Sequence, residues 1–116
     1  MSRLLIVDDD IDILEALATA LSDNHRVSTA VHGSDALALL ARECFDALVL
    51  DLMMPVMDGE TLIEKMREHG IVVPVLLASA SHDIAEVARR LGVAYITKPY
   101  DAAGIEKRLS RLLQTR

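Results

Sequence analysis

The chain predicts an α/β fold, a doubly wound five-stranded parallel sheet in the order 2-1-3-4-5 with five helices. Three observations lead there. Short apolar runs alternate with stretches whose apolar residues recur at spacings of three and four, and this happens five times in 116 residues. No linker, low-complexity tract or repeat interrupts the alternation, so residues 1–116 read as one domain. Four of the runs stop on a polar residue suited to metal or phosphate: Ile6-Val7 meets Asp8-Asp9, Leu48-Val49-Leu50 meets Asp51, Leu76-Leu77-Ala78 meets Ser79, and Tyr95-Ile96-Thr97 meets Lys98. Right-handed crossovers leave few ways to order such strands. In the order chosen, the ligand crevice lies outside the carboxyl ends of the first and third strands, where Asp8, Asp9 and Asp51 fall.

Each element has its own signal. Residues 4–7 form a short buried strand. Ile11, Leu14, Ala18 and Leu21 then predict a helix over residues 11–22, with Asp10 as its N-cap. Residues 26–30 alternate weakly, as an edge strand does. Gly33 and Ser34 open a second helix with Leu37, Leu40 and Ala41 turned inward. Residues 47–50 are the most apolar run and so the central strand. Pro55 and Asp58-Gly59 hold a loop before a third helix, which carries Leu62, Ile63 and Met66 inward and ends at Gly70. A fourth strand is expected over residues 72–78 and a helix over residues 83–91, with Ile84, Val87, Ala88 and Leu91 on one face. Residues 93–97 make the fifth strand. The last helix starts near Asp101 and carries Ile105, Leu109 and Leu112 on one stripe.

Composition excludes several function classes. Apolar residues are 52% and aromatics 3%, so the core is aliphatic. With 12 Lys and Arg against 18 Asp and Glu the net charge is −6, which opposes direct nucleic-acid binding and docking to an anionic membrane. No run approaches the roughly 20 apolar residues of a membrane span. Met1-Ser2-Arg3 leads into too short an apolar run for a signal peptide. Cys44 is the sole cysteine, expected as a small buried hydrophobe in a reducing compartment. These features predict a soluble, cytoplasmic protein. His25, His32, His69 and His82 lack metal-ligand spacing and are expected at the surface or at caps. Lys107, Arg108, Arg111 and Arg116 read as a solvated cationic face near the negative end of the last helix.

Carboxylates crowded at one sheet edge repel unless a cation joins them. Hard oxygens with few other ligands suit Mg²⁺, which keeps some of its waters. Asp9 is expected to bind the ion directly and Asp8 partly through water. Asp10 and Asp12 are better explained by the dipole of the helix they open. Asp51 closes an apolar strand and fits a nucleophile that forms an acyl phosphate. Lys98, followed by Pro99, supplies a point charge for a phosphoryl oxygen, and Ser79 supplies a hydroxyl donor. A cis Lys98–Pro99 bond would aim the amine inward. Met53, Met54 and Met57 read as packing, and Tyr95 as core filling.

Assembled, these residues resemble the receiver domain of two-component response regulators along essentially the whole chain. The resemblance is carried by Leu5-Ile6-Val7-Asp8-Asp9-Asp10, by the nonapeptide Asp51-Leu52-Met53-Met54-Pro55-Val56-Met57-Asp58-Gly59, by residues 74–80, and by Tyr95-Ile96-Thr97-Lys98-Pro99-Tyr100. It implies a flavodoxin-like fold in which Asp51 accepts a phosphoryl group from a histidine kinase or a phosphotransfer protein. Asp8, Asp9, Asp51 and the Met53 carbonyl would organise Mg²⁺. Ser79, Lys98 and the amides of Met53 and Ala80 would bind the phosphoryl oxygens, and Tyr95 would be the switch aromatic. Three positions depart from the family pattern: Ser79 stands where Thr is commoner, the stretch Gly92-Val93-Ala94-Tyr95 is one residue short, and Tyr100 replaces a frequent Phe.

The expected activity is therefore a phosphorylation-driven switch rather than an enzyme, although it assists its own phosphoryl transfer and dephosphorylation. Residues 83–91, the last strand and the final helix form the responding face, directed at a downstream protein or an output domain. Two other readings are a small haloacid-dehalogenase-like phosphatase with Asp8 as nucleophile and an acid/base Asp two residues on, and an interaction module that keeps only the fold.

Overall fold

Apolar runs become strands and amphipathic stretches become helices in the computed structural model, which describes residues 1–114. In chain order these are β1 (Ser2–Val7), α1 (Ile11–Leu21), β2 (His25–Ala30), α2 (Gly33–Arg42), β3 (Ala47–Leu50), α3 (Gly59–Glu68), β4 (Val75–Ser79), α4 (Ile84–Leu91), β5 (Ala94–Thr97) and α5 (Ala102–Gln114). The five strands make one parallel sheet in the predicted order β2-β1-β3-β4-β5. Arg116 lies outside the described residues.

The sheet is covered on both faces, and alternate residues along each strand serve opposite layers. Leu5, Val7, Leu48, Leu50, Val75 and Leu77 pack with α2, α3 and α4 through Ala36, Leu40, Leu62, Ile63, Met66, Ile84, Val87 and Leu91. Leu4, Ile6, Ala47, Val49, Leu76 and Ala78 pack with α1 and α5 through Leu14, Leu17, Leu21, Ile105 and Leu109. β3 and residues 4–7 of β1 lie in the middle of both layers and are almost wholly inaccessible. Their carboxyl ends are therefore held on all sides, and that rigidity positions whatever follows them.

The helix caps act as predicted at α1, where the Asp10 carboxylate accepts from the Asp12 and Ile13 amides. Two strands start later than expected. Pro74 has no N–H for the ladder, so β4 pairs with β3 only from Val75, and Val72 is exposed. At α4 the left-handed Gly92 (φ 71°) ends the helix, and the Val93 amide turns back to the Ala88 carbonyl at 3.0 Å. Val93 is spent on that closure, so β5 begins at Ala94.

Four side chains sit differently from expectation. On α2 the buried row is Gly33, Ala36 and Leu40, while Ala41 lies one further rotation toward solvent and is exposed. Cys44 is exposed in the turn before β3. Met53 is exposed, whereas Met54 is buried and Met57 packs against the core. His25 is buried in β2, its Nε2 2.6 Å from Glu106 Oε1 of α5. The other histidines behave as expected: His32 and His69 flank α2 and α3, and His82 is exposed.

Candidate functional site

The sheet ladder continues for one residue beyond several strands, and this fixes the candidate site. The Asp51 amide donates to the Val7 carbonyl at 2.9 Å, the Asp8 amide to Ala30 at 3.3 Å, and the Lys98 amide to Ser79 at 2.9 Å. Asp8, Asp51 and Ser79 are buried, at 3%, 6% and 0% exposure, so hydration cannot disperse their polarity. Asp9 faces solvent. One ligand oxygen from each of Asp8, Asp9 and Asp51 lies within 4.8 Å of the others, close enough for one cation. Lys98 reaches across from the end of β5, its Nζ 3.1 Å from Asp8 Oδ2 and 3.6 Å from Asp51 Oδ2. The Lys98–Pro99 peptide bond is cis.

One ammonium cannot neutralise this group. The Asp51 carboxyl is pushed up to about 6, first by burial and then by the charge on Asp8, with Asp9 adding a little. Lys98 and the Met53 amide, which donates to Asp51 Oδ1 at 3.3 Å, oppose the rise without cancelling it. Three hard oxygens with surplus negative charge, one of them exposed, fit Mg²⁺ with part of its water shell retained. Asp10 does not join them, because its carboxylate is committed to capping α1. That removes the acid/base partner which a phosphatase built on Asp8 would need.

The hydroxyl of Ser79 lies at the end of β4, accepting from the Ser81 amide at 3.2 Å, and Ala80 follows it at the surface. Tyr95 stands opposite Leu77 in the β4–β5 register and packs, half-buried, against the α2–α3–α4 layer. The Arg108 guanidinium of α5 donates to the Tyr95 carbonyl at 2.6 Å, so this cation is not merely solvated.

Behind Asp51 the loop to α3 is tightly built. The Met57 amide bonds to the Pro55 carbonyl at 2.8 Å, leaving exposed Val56 at φ 67°, a left-handed conformation unusual for a β-branched residue. Asp58 caps α3 by accepting from the Thr61 amide at 2.8 Å. Gly59 donates to the Leu52 carbonyl at 2.9 Å, and a Cβ there would lie 2.7 Å from the Asp51 carbonyl oxygen. Sequence reasoning did not mark two neighbours of the site. One is Val56, whose residue type argues against its conformation. The other is Tyr100, read only as a departure from pattern. Burial, then the charges on Asp8, Asp51 and Asp10, push the Tyr100 hydroxyl up to about 12. A hydroxyl carried into an otherwise apolar position was the available signal.

Comparison with known proteins agrees with the geometry. The model of the response regulator receiver domain matches residues 4–110. A response regulator receiver protein of Anaeromyxobacter sp. is 42% identical over 103 residues, covering 85% of this chain and 43% of that protein. Response regulator MprA of Mycobacterium leprae is 36% identical over 116 residues, covering 97% of this chain and 51% of that protein. The chain thus spans about half the length of these curated relatives. The crystal structure of chemotaxis protein CheY4 of Vibrio cholerae superposes with a TM-score of 0.88 at 29% identity, covering 97% of this chain and 98% of that one. With a family match over most of its length and the flavodoxin-like sheet in place, the chain belongs to the receiver domains of two-component response regulators, a family of phospho-accepting signalling switches.

Proposed function

We propose that Asp51 is the phosphoacceptor of this receiver and that it takes its phosphoryl group from the phosphohistidine of a kinase or phosphotransfer protein. The observation that carries the reading is the meeting of Asp8, Asp9, Asp51 and Lys98 at one sheet edge. An Asp51 carboxylate oxygen forms a bond to phosphorus as the phosphorus–nitrogen bond breaks, and the leaving imidazole keeps the bonding pair. Asp8, Asp9, Asp51 and the Met53 carbonyl would hold Mg²⁺, which when bound would supply positive charge to offset repulsion between the two anions. Lys98 then gives its ammonium to a phosphoryl oxygen. Ser79 and the amides of Met53 and Ala80 donate to the others. Above about pH 6 Asp51 is ionised and nucleophilic even without metal.

The same contacts drive the switch. Lys98 and Ser79 reach the phosphoryl group in only one conformation, so phosphorylation shifts the population toward it. Tyr95 turns inward as Ser79 moves, and the face of α4, β5 and α5 presents the change to a downstream protein or output domain. The site also assists hydrolysis of its own acyl phosphate. No described helix is long and apolar enough to cross a membrane, and the acidic balance disfavours direct nucleic-acid contact, in keeping with a cytoplasmic role. The test is labelling by a small acyl phosphate with and without Mg²⁺. Wild type should label once per chain, dependent on the ion, and Asp51→Asn should not label. One stoichiometric label persisting in Asp51→Asn would sink the assignment.

A further inference from the structure

We infer that Tyr100 is a positioning residue for Asp8, its hydroxyl donating to the Asp8 carboxylate across one bridging water once Lys98 has moved to the phosphoryl group. The inference rests on the phosphoacceptor reading above and deepens it.

The hydroxyl of Tyr100 is buried and has no partner among the protein's own groups, one of two such side-chain groups among the described residues. Burying a hydroxyl without a protein partner is unfavourable, and native structures contain few examples. Phe would fill the same space without that cost. The ring is well anchored in the layer between the sheet, α1 and α5. With Lys98, Ile13, Ala16 and Leu17 it lines a cavity of about 450 Å³ that has room for water.

Lys98, which lines the same cavity, holds its Nζ 3.1 Å from Asp8 Oδ2, so the space before the hydroxyl leads to the carboxylates of the site. Asp10 is already occupied by the α1 amides, and Asp51 takes the Met53 amide. Asp8 is different. Its Oδ1 accepts from the Asp10 amide, and its Oδ2 depends on Lys98 at 3.1 Å. When Lys98 turns to a phosphoryl oxygen, a carboxylate only 3% exposed loses one of its two donors. Tyr100 lies two residues beyond Lys98, so the segment that withdraws the amine also carries its replacement.

The test compares wild type and Tyr100→Phe in calorimetric titrations with Mg²⁺ alone and with Mg²⁺ plus beryllofluoride, a phosphoryl stand-in. Urea unfolding without ligand checks the fold. Tyr100→Phe should be at least as stable as wild type and bind Mg²⁺ equally, yet bind beryllofluoride about tenfold more weakly, as losses of outer-shell partners do. A beryllofluoride loss below threefold would overturn the inference. An equal loss with Mg²⁺ alone would do so too, since the hydroxyl would then serve the resting site. So would a lower urea midpoint, because the hydroxyl would already be bonded in the resting protein. If wild type itself bound no beryllofluoride, the phosphoacceptor reading would fail first, an outcome distinct from equal binding by both proteins.

Discussion

Asp51 is asked to be both a buried strand-end residue and an anion, and the two demands conflict. Unfolded, its carboxyl releases a proton near 3.8; folded, it holds the proton to about 6. Between those values the folded chain binds more protons than the unfolded one, so stability of the metal-free protein falls as pH rises and stays low above 6. The cost at neutral pH is on the order of 2 kcal/mol. Asp51→Asn should therefore stabilise the metal-free protein by about that amount at pH 7.5 and by almost nothing below pH 4, with saturating Mg²⁺ narrowing the gap at neutral pH. Urea unfolding at the two pH values measures this, and an equal difference at both would contradict it. The residue identities at the site were legible because each is a polar residue at the end of an apolar run. The orphaned Tyr100 hydroxyl was not, since no one-dimensional pattern reports whether a polar atom finds a partner.

Element boundaries follow from hydrogen-bond supply as much as from hydropathy. Asp10 and Asp58 were readable as caps or loop residues because short polar side chains compete for free amides at helix starts. The late starts of β4 and β5 were not, because Val72 and Val93 look like strand residues. Their backbone is diverted by a proline without an N–H and by a left-handed glycine. The loop after Asp51 gives two predictions. Gly59→Ala would drive a methyl to 2.7 Å from the Asp51 carbonyl oxygen, and should cost about 2–3 kcal/mol in urea unfolding and slow phosphorylation. Unchanged stability would mean that α3 can retreat from the strand end. Val56 holds φ at 67° with its side chain in solvent, so Val56→Asn, a residue that tolerates this region, should raise stability by about 0.5–1 kcal/mol. A loss of stability would show that Val56 gains from contacts of its own.

Across the molecule, the sheet ties opposite ends of the chain to one edge. Lys98 and Asp8 are 90 positions apart in sequence and share a 3.1 Å contact. Helix α5 is joined to β5 through Arg108 and to the far edge strand through Glu106 and His25. A shift of Lys98 and Ser79 toward a phosphoryl group thus has physical routes into α5 and, through β5, toward α4. Amide hydrogen exchange with and without Mg²⁺ and beryllofluoride should show rates changed at least about threefold in α4, β5 and α5, with α2 unaffected. A response confined to the loops at the site would contradict a switch face there.

By itself the sequence determined the class of the fold, the strand order, the family, and which four strand ends carry carboxylate, hydroxyl and amine. It could do so because periodicity, breakers and crossover handedness are local or topological constraints that one dimension records. Only the tertiary structure decided how near those groups stand, and therefore how far Asp51 is raised. It also decided that Cys44 faces water, that His25 does not, and that the buried Tyr100 hydroxyl has no partner among the protein's own groups. Those outcomes depend on distance and dielectric between residues remote in the chain, quantities that exist only once the layers have packed.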